Sequence, residues 1–372
     1  MMKDDFTKNA ARAIVLILVL LALDRLPALA LRVPHLAQAA YIVDRMHDGN
    51  LNAEDYHALA AGYYEGLEQV DRISKDRVEN DDYHLRDDFL RFEFKPNLHR
   101  KTEFAGMRIT NSFGMPSPEI TVEKPAHTRR IAWLGDSVSA GPYGYSYETL
   151  LTDKLNQADL TPETQQFQLL NFSVPGYVLL NKMDVGLEKA PQFHPDVYVV
   201  QLGATEIGGS RKHVAKMLLR GTDLKYDFLR QITAKAGIKS SDNQQTIIVK
   251  LQSFFIPMTR MALEQIRDHA AAQGARMIIV LVPAAADANA AAEDFDNMHP
   301  GVDGLGVPVI DLRDTFRNAN LRELQVIPDW DIHPNIKGHQ MIFQDLYAKL
   351  RANPDAWAAL TGTKVESVAP SR

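Results

Sequence analysis

Two short segments of the chain carry residue types that together could perform acyl transfer. Residues 135–141 read Gly-Asp-Ser-Val-Ser-Ala-Gly and follow an apolar run, while residues 329–335 read Asp-Trp-Asp-Ile-His-Pro-Asn. A serine on a sharp turn that opens a helix exposes its hydroxyl beside helix-terminal N–H donors. In an extended segment, residues two apart point to the same side, so the carboxylate of Asp331 can orient the ring of His333. That imidazole can accept the proton of the Ser137 hydroxyl, which is otherwise a poor nucleophile.

Each segment also has an ordinary structural interpretation. Asp136 and Ser137 could simply cap a helix, and a histidine beside proline, such as His333, is often a surface or capping residue. The first segment is not the Gly-x-Ser-x-Gly turn of α/β-hydrolases, because residue 139 is serine, and it is not a phosphate loop, because no Gly-Lys-Ser/Thr follows it. The two segments taken together favour a site, because each follows a predicted strand of the same sheet.

Apolar runs predict five strands, and helical periodicity fills the chain between them. The strands are predicted at 131–134, 168–172, 197–202, 277–282 and 307–310, and the helices at 147–155, 179–189, 209–236, 245–273 and 334–350. Strands separated by helices need crossover connections, so the class is α/β with a parallel sheet covered on both faces. Working residues of such sheets lie on loops at the carboxyl ends of the strands, where Ser137 and His333 are both expected.

Three motifs resemble the signature blocks of the SGNH (GDSL-type) hydrolase superfamily. They are residues 134–141 (Leu-Gly-Asp-Ser-Val-Ser-Ala-Gly), 171–177 (Asn-Phe-Ser-Val-Pro-Gly-Tyr) and 331–339 (Asp-Ile-His-Pro-Asn-Ile-Lys-Gly-His), and the resemblance spans roughly residues 128 to 352. It implies a three-layer α/β/α domain with a flavodoxin-like, parallel five-stranded sheet. It also implies hydrolysis of carboxylic esters through an acyl-serine intermediate, with no metal and no cofactor.

The resemblance assigns a role to each matching residue. Ser137 would be the nucleophile, His333 the general base and then the general acid, and Asp331 the residue that orients His333. The backbone N–H groups of Ser137 and Gly176 would form the oxyanion hole. The commonest last block is Asp-x-x-His, but Trp330 lies three residues before His333, and we therefore prefer Asp331 to Asp329 as the partner.

The third block departs from the family pattern. Where the family has Gly-x-Asn-Asp, residues 203–206 read Gly-Ala-Thr-Glu, so Thr205 stands at the position whose side chain donates to the oxyanion. A threonine hydroxyl can donate, but it is shorter and can rotate away. Because losing one such donor can cost about 10²- to 10³-fold in rate, three interpretations stay open. They are weakened activity, a specialised substrate geometry and a decayed site.

The N-terminus resembles an export signal. Three basic residues precede an apolar run at 13–23, which Asp24 and Arg25 separate from a second apolar patch at 26–31. We predict that residues 1–34 are a signal-anchor or signal peptide. The domain would then lie on the periplasmic side of the inner membrane, tethered by one N-terminal helix, or be secreted after cleavage. The alternative is a buried helix of a soluble protein.

The rest of the chain divides into three predicted parts. Residues 35–127 form an accessory helical region with a helix over 52–67 and a short edge strand at 92–96, residues 128–358 form the hydrolase-like domain, and residues 359–372 form a flexible tail. Tyr143, Tyr145 and Tyr147 could line a cleft or stack on a sugar ring, but core anchoring of the first helix is the favoured interpretation.

The composition of the chain excludes several kinds of site and argues against one kind of partner. The 372 residues include no cysteine, which excludes disulfides, thiolate metal sites and a cysteine nucleophile. The net charge of −6 comes without a basic stripe, which argues against nucleic acid as a partner. The favoured function is an exported serine esterase acting on a small-molecule, glycan or lipid ester. The alternatives are an O-acyltransferase for envelope polysaccharide and a catalytically decayed envelope binding or assembly protein.

Overall fold

The structure, a computed structural model, describes residues 82–102, 106–203, 206–286, 288–328 and 331–363. The predicted membrane segment 1–34 and the helix predicted over 52–67 lie outside these ranges, and so does Thr205. Within the described ranges, no helix combines the length and the apolar character needed to cross a membrane.

Within the described residues, eleven strands form one large sheet and three small ones. In chain order they are β1 (Tyr83–Leu85), β2 (Phe92–Phe94), β3 (His99–Thr102), β4 (Gly106–Ile109), β5 (Thr128–Leu134), β6 (Gln166–Asn171), β7 (Val197–Leu202), β8 (Arg276–Leu281), β9 (Val309–Asp311), β10 (Gln325–Ile327) and β11 (Asp331–Pro334). The large sheet is parallel, in the order β6-β5-β7-β8-β9. The predicted flavodoxin-like, five-stranded parallel sheet is confirmed.

Helices surround the sheet. In chain order they are α1 (Ser137–Ala140), α2 (Tyr147–Ala158), α3 (Leu179–Glu188), α4 (Glu206–Arg220), α5 (Asp227–Lys235), α6 (Gln244–Lys250), α7 (Phe255–Ala272), α8 (Ala288–Val302), α9 (Ile336–Ala352) and α10 (Pro354–Thr361). The stretch predicted as helical over 209–236 and 245–273 is helical, but it is divided into four helices, α4 to α7. Gly221, with a φ of +68°, follows the last residue of α4, where a left-handed residue cannot continue the helix. A short 3₁₀ turn precedes α7.

The sheet is buried on both faces, which gives three layers. Alternate residues of the strands, such as Ile131 and Val199, pack with α2, α9 and α10 in one apolar core. On the opposite face, α3 approaches the sheet closely, since a Cβ at Gly186 would lie 2.9 Å from Leu134 Cδ1. Every residue of β7 is buried, as expected for a central strand covered by helices on both sides.

The described part of the accessory region consists of short strands and turns, and β2 lies within the edge strand predicted at 92–96. β1 pairs with β2, and β3 pairs with β4, both antiparallel. The first hairpin packs on α3 and the turn before it, because Tyr177 Oη donates to the Phe92 carbonyl (2.9 Å) and Asn181 Nδ2 donates to the Leu90 carbonyl (3.0 Å). These strands are short, so tertiary packing rather than sequence pattern stabilises them.

The accessory region and the sheet are joined by one buried cation. Arg130, fully buried in β5, donates to the carbonyls of Thr121 (2.7 Å), Val122 (2.9 Å) and Phe193 (2.8 Å). The segment that enters β5 is therefore fixed by Arg130.

The last helix of the domain, α10, extends three residues past the predicted boundary at 358, and its Leu360 is buried.

Candidate active site

The structure places Ser137 on a tight turn at the carboxyl end of β5. Ser137 is the first residue of α1, and the preceding Asp136 caps this helix by accepting from the Val138 amide at 3.0 Å. A Cβ at Gly135 would lie 2.5 Å from both Ser139 Cβ and Ser173 Oγ, so only glycine fits. The sequence Gly-Asp-Ser therefore builds the turn from a residue without a side chain, a cap and the half-buried nucleophile.

His333 is held by a small hairpin that the sequence predicted only as an extended loop. β10 and β11 pair antiparallel, with Ile327 opposite Asp331. The Ala285 amide donates to the Ile332 carbonyl at 2.8 Å, which ties β11 to the loop after β8. α9 begins two residues after Pro334 and is capped by Asn335, whose side chain accepts from the Gly338 amide. The helix predicted from 334 thus begins at Ile336.

Ser137, His333 and Asp331 form one hydrogen-bonded chain. His333 Nδ1 lies 2.5 Å from Asp331 Oδ1, and His333 Nε2 lies 2.7 Å from Ser137 Oγ. The carboxylate can only accept, so Nδ1 carries the proton and Nε2 is the acceptor for the serine hydroxyl. Asp331 is buried and also accepts from the His333 amide at 3.0 Å, which fixes its orientation. This geometry allows the imidazole to remove the hydroxyl proton as Ser137 attacks a carbonyl carbon.

The pKa values of the two histidines in the last motif, His333 and His339, are shifted in opposite directions. Burial alone would lower the pKa of His333, but the hydrogen bond and charge of Asp331, together with the charge of Asp136, raise it above 6.5. Burial and the neighbouring His333 lower the pKa of His339 to about 3. His339 therefore stays neutral and accepts from the Tyr147 amide at 3.3 Å, while Asp331 favours the charged form of His333.

Gly176, the second predicted oxyanion donor, lies in a turn after β6. The Tyr177 amide donates to the Val174 carbonyl at 3.0 Å, and Gly176 has a φ of +86°. Pro175 followed by a glycine with positive φ is the pattern of a type II turn, and Gly176 is exposed. Since β6 is the neighbour of β5, this turn lies at the same edge of the sheet as Ser137. Thr205, the third predicted donor, is not among the described residues.

Asn171 connects the turn of Gly176 to the turn of Ser137. Its side-chain amide donates to the Ser139 carbonyl at 3.0 Å and to Glu148 Oε1 at 2.9 Å, and its Oδ1 accepts from the Ser173 amide at 3.0 Å. The asparagine that ends β6 is therefore a structural link between the first and second motifs.

The structure separates the three tyrosines that the sequence grouped together. Tyr147 is a buried core residue that lies 2.6 Å from Ser139 Oγ, as favoured by the sequence. Tyr145, in contrast, is 54% exposed, and Tyr143 lines a shallow pocket together with Gly141 and, from the accessory region, Phe94. Core anchoring is therefore wrong for Tyr145, whereas Tyr143 is half-buried.

Sequence reasoning missed a buried charged cluster behind the Ser137 turn. It consists of Lys182 in α3, Glu206 at the start of α4, Gln201 in β7 and Asp136. The only signal in the sequence was Gln201, a polar residue in the otherwise apolar and aromatic run of β7. The pairing of Lys182 with Glu206 depends on contact between two helices, which no local spacing encodes.

Comparison with solved structures returns ester-hydrolysing proteins at low similarity. An acetyl xylan esterase named AlAXEase shares 16% identity with a TM-score of 0.38, covering 59% of this chain and 98% of its own. A lipase/acylhydrolase from Enterococcus faecalis shares 15% identity with a TM-score of 0.38, covering 60% and 96%. Axe2, an acetylxylan esterase from Geobacillus stearothermophilus, shares 11% identity with a TM-score of 0.40, covering 60% and 94%. We draw no argument from likenesses at this level.

Comparisons with curated proteins and with protein families give different results. No curated protein matches the chain. Residues 133–341 match the model of the GDSL-like lipase/acylhydrolase family. This range covers more than half of the 372 residues and includes both the Ser137 turn and the β11 segment with Asp331 and His333. The chain therefore belongs to the GDSL-like lipase/acylhydrolase family and is an ester-hydrolysing enzyme.

Proposed function

We propose that the protein hydrolyses carboxylic esters through an acyl-serine intermediate on Ser137. The single observation that carries this proposal is the continuous chain from Asp331 through His333 to the Ser137 hydroxyl, with contacts of 2.5 Å and 2.7 Å. A decayed site has no reason to keep a nucleophile, a base and an orienting carboxylate in hydrogen-bonding contact.

In the first half of the reaction, Ser137 Oγ bonds to the ester carbonyl carbon while His333 Nε2 takes its proton. The oxyanion is received by the backbone N–H groups of Ser137 and Gly176 and by the Thr205 hydroxyl. When the C–O bond to the alcohol breaks, His333 gives its proton to the leaving alkoxide and the acyl-serine remains.

In the second half, water attacks the acyl carbon and His333 accepts one of its protons. Collapse of this second tetrahedral intermediate breaks the bond to Ser137 Oγ, which recovers a proton from His333. The products are a carboxylic acid and the free enzyme. Asp331 stabilises the imidazolium that forms in each half.

A fluorophosphonate probe tests the proposal, because it phosphonylates an activated serine. The full chain should be labelled, and Ser137→Ala should not be. Ser253→Ala, which changes an exposed serine on the 3₁₀ turn before α7, is the matched control and should be labelled like the wild type. Absence of labelling in the wild type would reject the acyl-serine mechanism.

The two tyrosines that follow α1 support an ester whose alcohol part carries a sugar ring. Tyr143, six residues after Ser137, lines a small pocket, and Tyr145 two residues later is 54% exposed. An accessible aromatic ring offers an apolar face on which a ring of the substrate can stack. Tyr143→Ala should raise KM for an acetylated oligosaccharide several-fold more than KM for p-nitrophenyl acetate. Equal effects on both substrates would argue against glycan esters.

Transfer of the acyl group to a glycan acceptor is the alternative fate of the same intermediate. Adding an unacylated oligosaccharide to the enzyme and p-nitrophenyl acetate distinguishes the two. For a hydrolase, the yield of free acetate stays equal to the yield of p-nitrophenol, whereas a transferase forms acetylated oligosaccharide in its place.

We infer the location from residues 1–34 alone. Their basic start and apolar run support export of the domain with an N-terminal membrane tether. Fractionation of bacteria that express the full chain tests this. The protein should stay with membranes after an alkaline wash and be cleaved by protease added to spheroplasts. Recovery in the soluble cytoplasmic fraction would contradict it.

A further inference from the structure

The side chain of Lys182 lies at the centre of the buried cluster behind the catalytic turn. This side chain is completely buried. The ammonium group of Lys182 donates to Asp136 Oδ2 (3.3 Å), to the Gln201 main-chain carbonyl (2.8 Å) and, in a close ion pair, to Glu206 Oε1. These three contacts use all three donors of the ammonium. Lys182 therefore connects α3 with the end of β5, the end of β7 and the start of α4.

Glu206 links the third motif to the turn of the second motif. One carboxylate oxygen accepts from Lys182, and the other accepts from the Leu179 amide at 2.5 Å. Leu179 is the first residue of α3 and lies three positions after Gly176. The carboxylate thus occupies the N-terminal end of α3, where helix-terminal N–H groups favour an anion.

Asp136 and Gln201 connect the cluster to the nucleophile. Gln201 Oε1 accepts from the Asp136 amide at 2.9 Å, and Gln201 Nε2 donates to Asp136 Oδ2 at 3.0 Å. The other oxygen of Asp136 caps α1, whose first residue is Ser137. Both the backbone and the side chain of the residue before the nucleophile are therefore fixed by this cluster.

The charges of the cluster argue against a purely stabilising role. Burial would lower the pKa of Lys182, but the charges and hydrogen bonds of Glu206 and Asp136 raise it, so the lysine is charged. Burying such groups is costly, and apolar side chains of similar volume are often as stable or more stable. What a satisfied buried network provides, and an apolar core does not, is a fixed geometry.

We propose that Lys182 and Glu206 are positioning residues that hold the loops of Ser137 and Gly176 in register for catalysis. The proposal deepens the proposed function and rests on it. Neither residue contacts the reacting atoms. Lys182 acts through Asp136 on the nucleophile turn, and Glu206 acts through Leu179 on the oxyanion turn.

The test compares variants of the full chain for hydrolysis of p-nitrophenyl acetate. Glu206→Gln keeps the volume but can accept only one of the two hydrogen bonds, and Glu206→Asp keeps the charge but is one methylene shorter. Each should lower kcat by about 10- to 100-fold with KM within about two-fold, because displacement of catalytic groups by about 1 Å has effects of this size. Lys189→Met, which removes an ion pair to Glu93 just after the same helix, is the matched control and should retain wild-type kcat.

Lys182→Met alone leaves two buried carboxylates without their cation, which is strongly destabilising, so it is paired with Glu206→Gln in a double variant. The double variant should fold and show the same loss of kcat. Wild-type kcat in folded Glu206→Gln, Glu206→Asp and double variants would overturn the proposal, and so would losses in KM alone.

Amide hydrogen exchange keeps the proposal testable without reference to activity. In Glu206→Gln, the amides of Val138 and Leu179 should exchange faster than in Lys189→Met, because both amides depend on the cluster for their acceptors. Unchanged exchange at both amides would reject the positioning role. Absence of fluorophosphonate labelling in the wild type would instead reject the proposed function, so the two failures are distinguishable.

Discussion

The imidazole of His333 lies 2.7 Å from the hydroxyl of Ser137, although 196 positions separate them in the chain. Ser137 is positioned by the end of β5 and the cap of α1, and His333 by the β10–β11 hairpin. The hairpin is itself bonded to the loop that follows β8, through the Ala285 amide. The contact between nucleophile and base therefore depends on the register of the whole sheet, and small displacements of either support should reduce activity.

The first prediction concerns the orienting carboxylate. Asp331→Asn should lower kcat by about 10³- to 10⁴-fold with little change in KM, because an amide cannot hold the Nδ1 proton that leaves Nε2 free to accept. The measurement is the steady-state hydrolysis of p-nitrophenyl acetate. Asp303→Asn is the matched control, since Asp303 lies 3.0 Å from Nδ1 of another histidine, His299, away from the site. Equal effects of the two substitutions would contradict the assignment of Asp331.

The second prediction concerns the pH dependence of the reaction. Burial lowers the pKa of His333, but Asp331 and the charge of Asp136 outweigh it and raise the pKa above 6.5. Because the neutral imidazole is the base, kcat/KM should be low in acid and rise with a midpoint above pH 6.5. Glu119→Gln changes a fully exposed carboxyl group and should leave the midpoint of the pH profile unchanged. A midpoint below 6.5 would show that another group controls the acid limb.

The residues of the triad could be predicted from sequence because the residues next to each of them indicate its position in the fold. Ser137 follows a strand and opens a helix, Asp331 and His333 have the spacing of an extended segment, and the parallel sheet brings both to one edge. The buried pair of Lys182 and Glu206 has no such signal. Its two residues come from helices that meet only in the folded chain, and on a sequence they look like ordinary exposed charges.

The shortest strands are the part of the fold that the sequence pattern does not predict. Strands of six or seven residues, such as β5 and β7, carry an apolar pattern long enough to predict a strand. The three residues of β10 carry no such pattern, and they form a strand because they pair with β11. The accessory hairpins are similar, since β2 is positioned by bonds from α3 and the turn before it. The tyrosines show the same limit, because only tertiary contacts separate buried Tyr147 from accessible Tyr145.

The third prediction concerns the residue at the third oxyanion position. If the Thr205 hydroxyl donates to the oxyanion, Thr205→Val, which keeps the shape, should lower kcat by about 10²- to 10³-fold. Thr205→Ser should retain most of the activity, and Thr205→Asn tests whether an amide serves better. The measurement is kcat for p-nitrophenyl acetate. Wild-type turnover in Thr205→Val would leave the two backbone donors as the whole oxyanion hole.

The fourth prediction concerns the glycine before the cap. Gly135→Ala should destabilise the protein by about 1–3 kcal/mol and lower activity, because its Cβ would lie 2.5 Å from Ser139 Cβ and Ser173 Oγ. Gly208→Ala is the matched control in α4, where an added Cβ meets nothing within 4 Å. It should be neutral or slightly stabilising, since alanine is the better helix former. Urea unfolding measures both, and equal midpoints for the two variants would contradict the close packing at Gly135.

The fifth prediction concerns a buried carboxyl group next to the Asn171 link. Glu148 is completely buried, and burial raises its pKa to about 8. Within the described residues its Oε1 accepts from Asn171 and its Oε2 has no hydrogen-bond partner. Since the unfolded carboxyl group titrates near 4.5, the folded state binds the extra proton between about pH 4.5 and 8. Its contribution to stability is therefore greatest at low pH and is lost as the pH rises through this window.

Glu148→Gln removes the titration while keeping the acceptor for Asn171. The difference in Tm between Glu148→Gln and the wild type should therefore become more positive from pH 5 to pH 8.5, by an amount that corresponds to a few kcal/mol at the alkaline end. Glu163→Gln, at an exposed position, should show the same difference from wild type at every pH. A Tm difference for Glu148→Gln that does not change with pH would mean that Glu148 is already ionised in the folded protein, with water or a rearranged side chain supplying the second hydrogen bond.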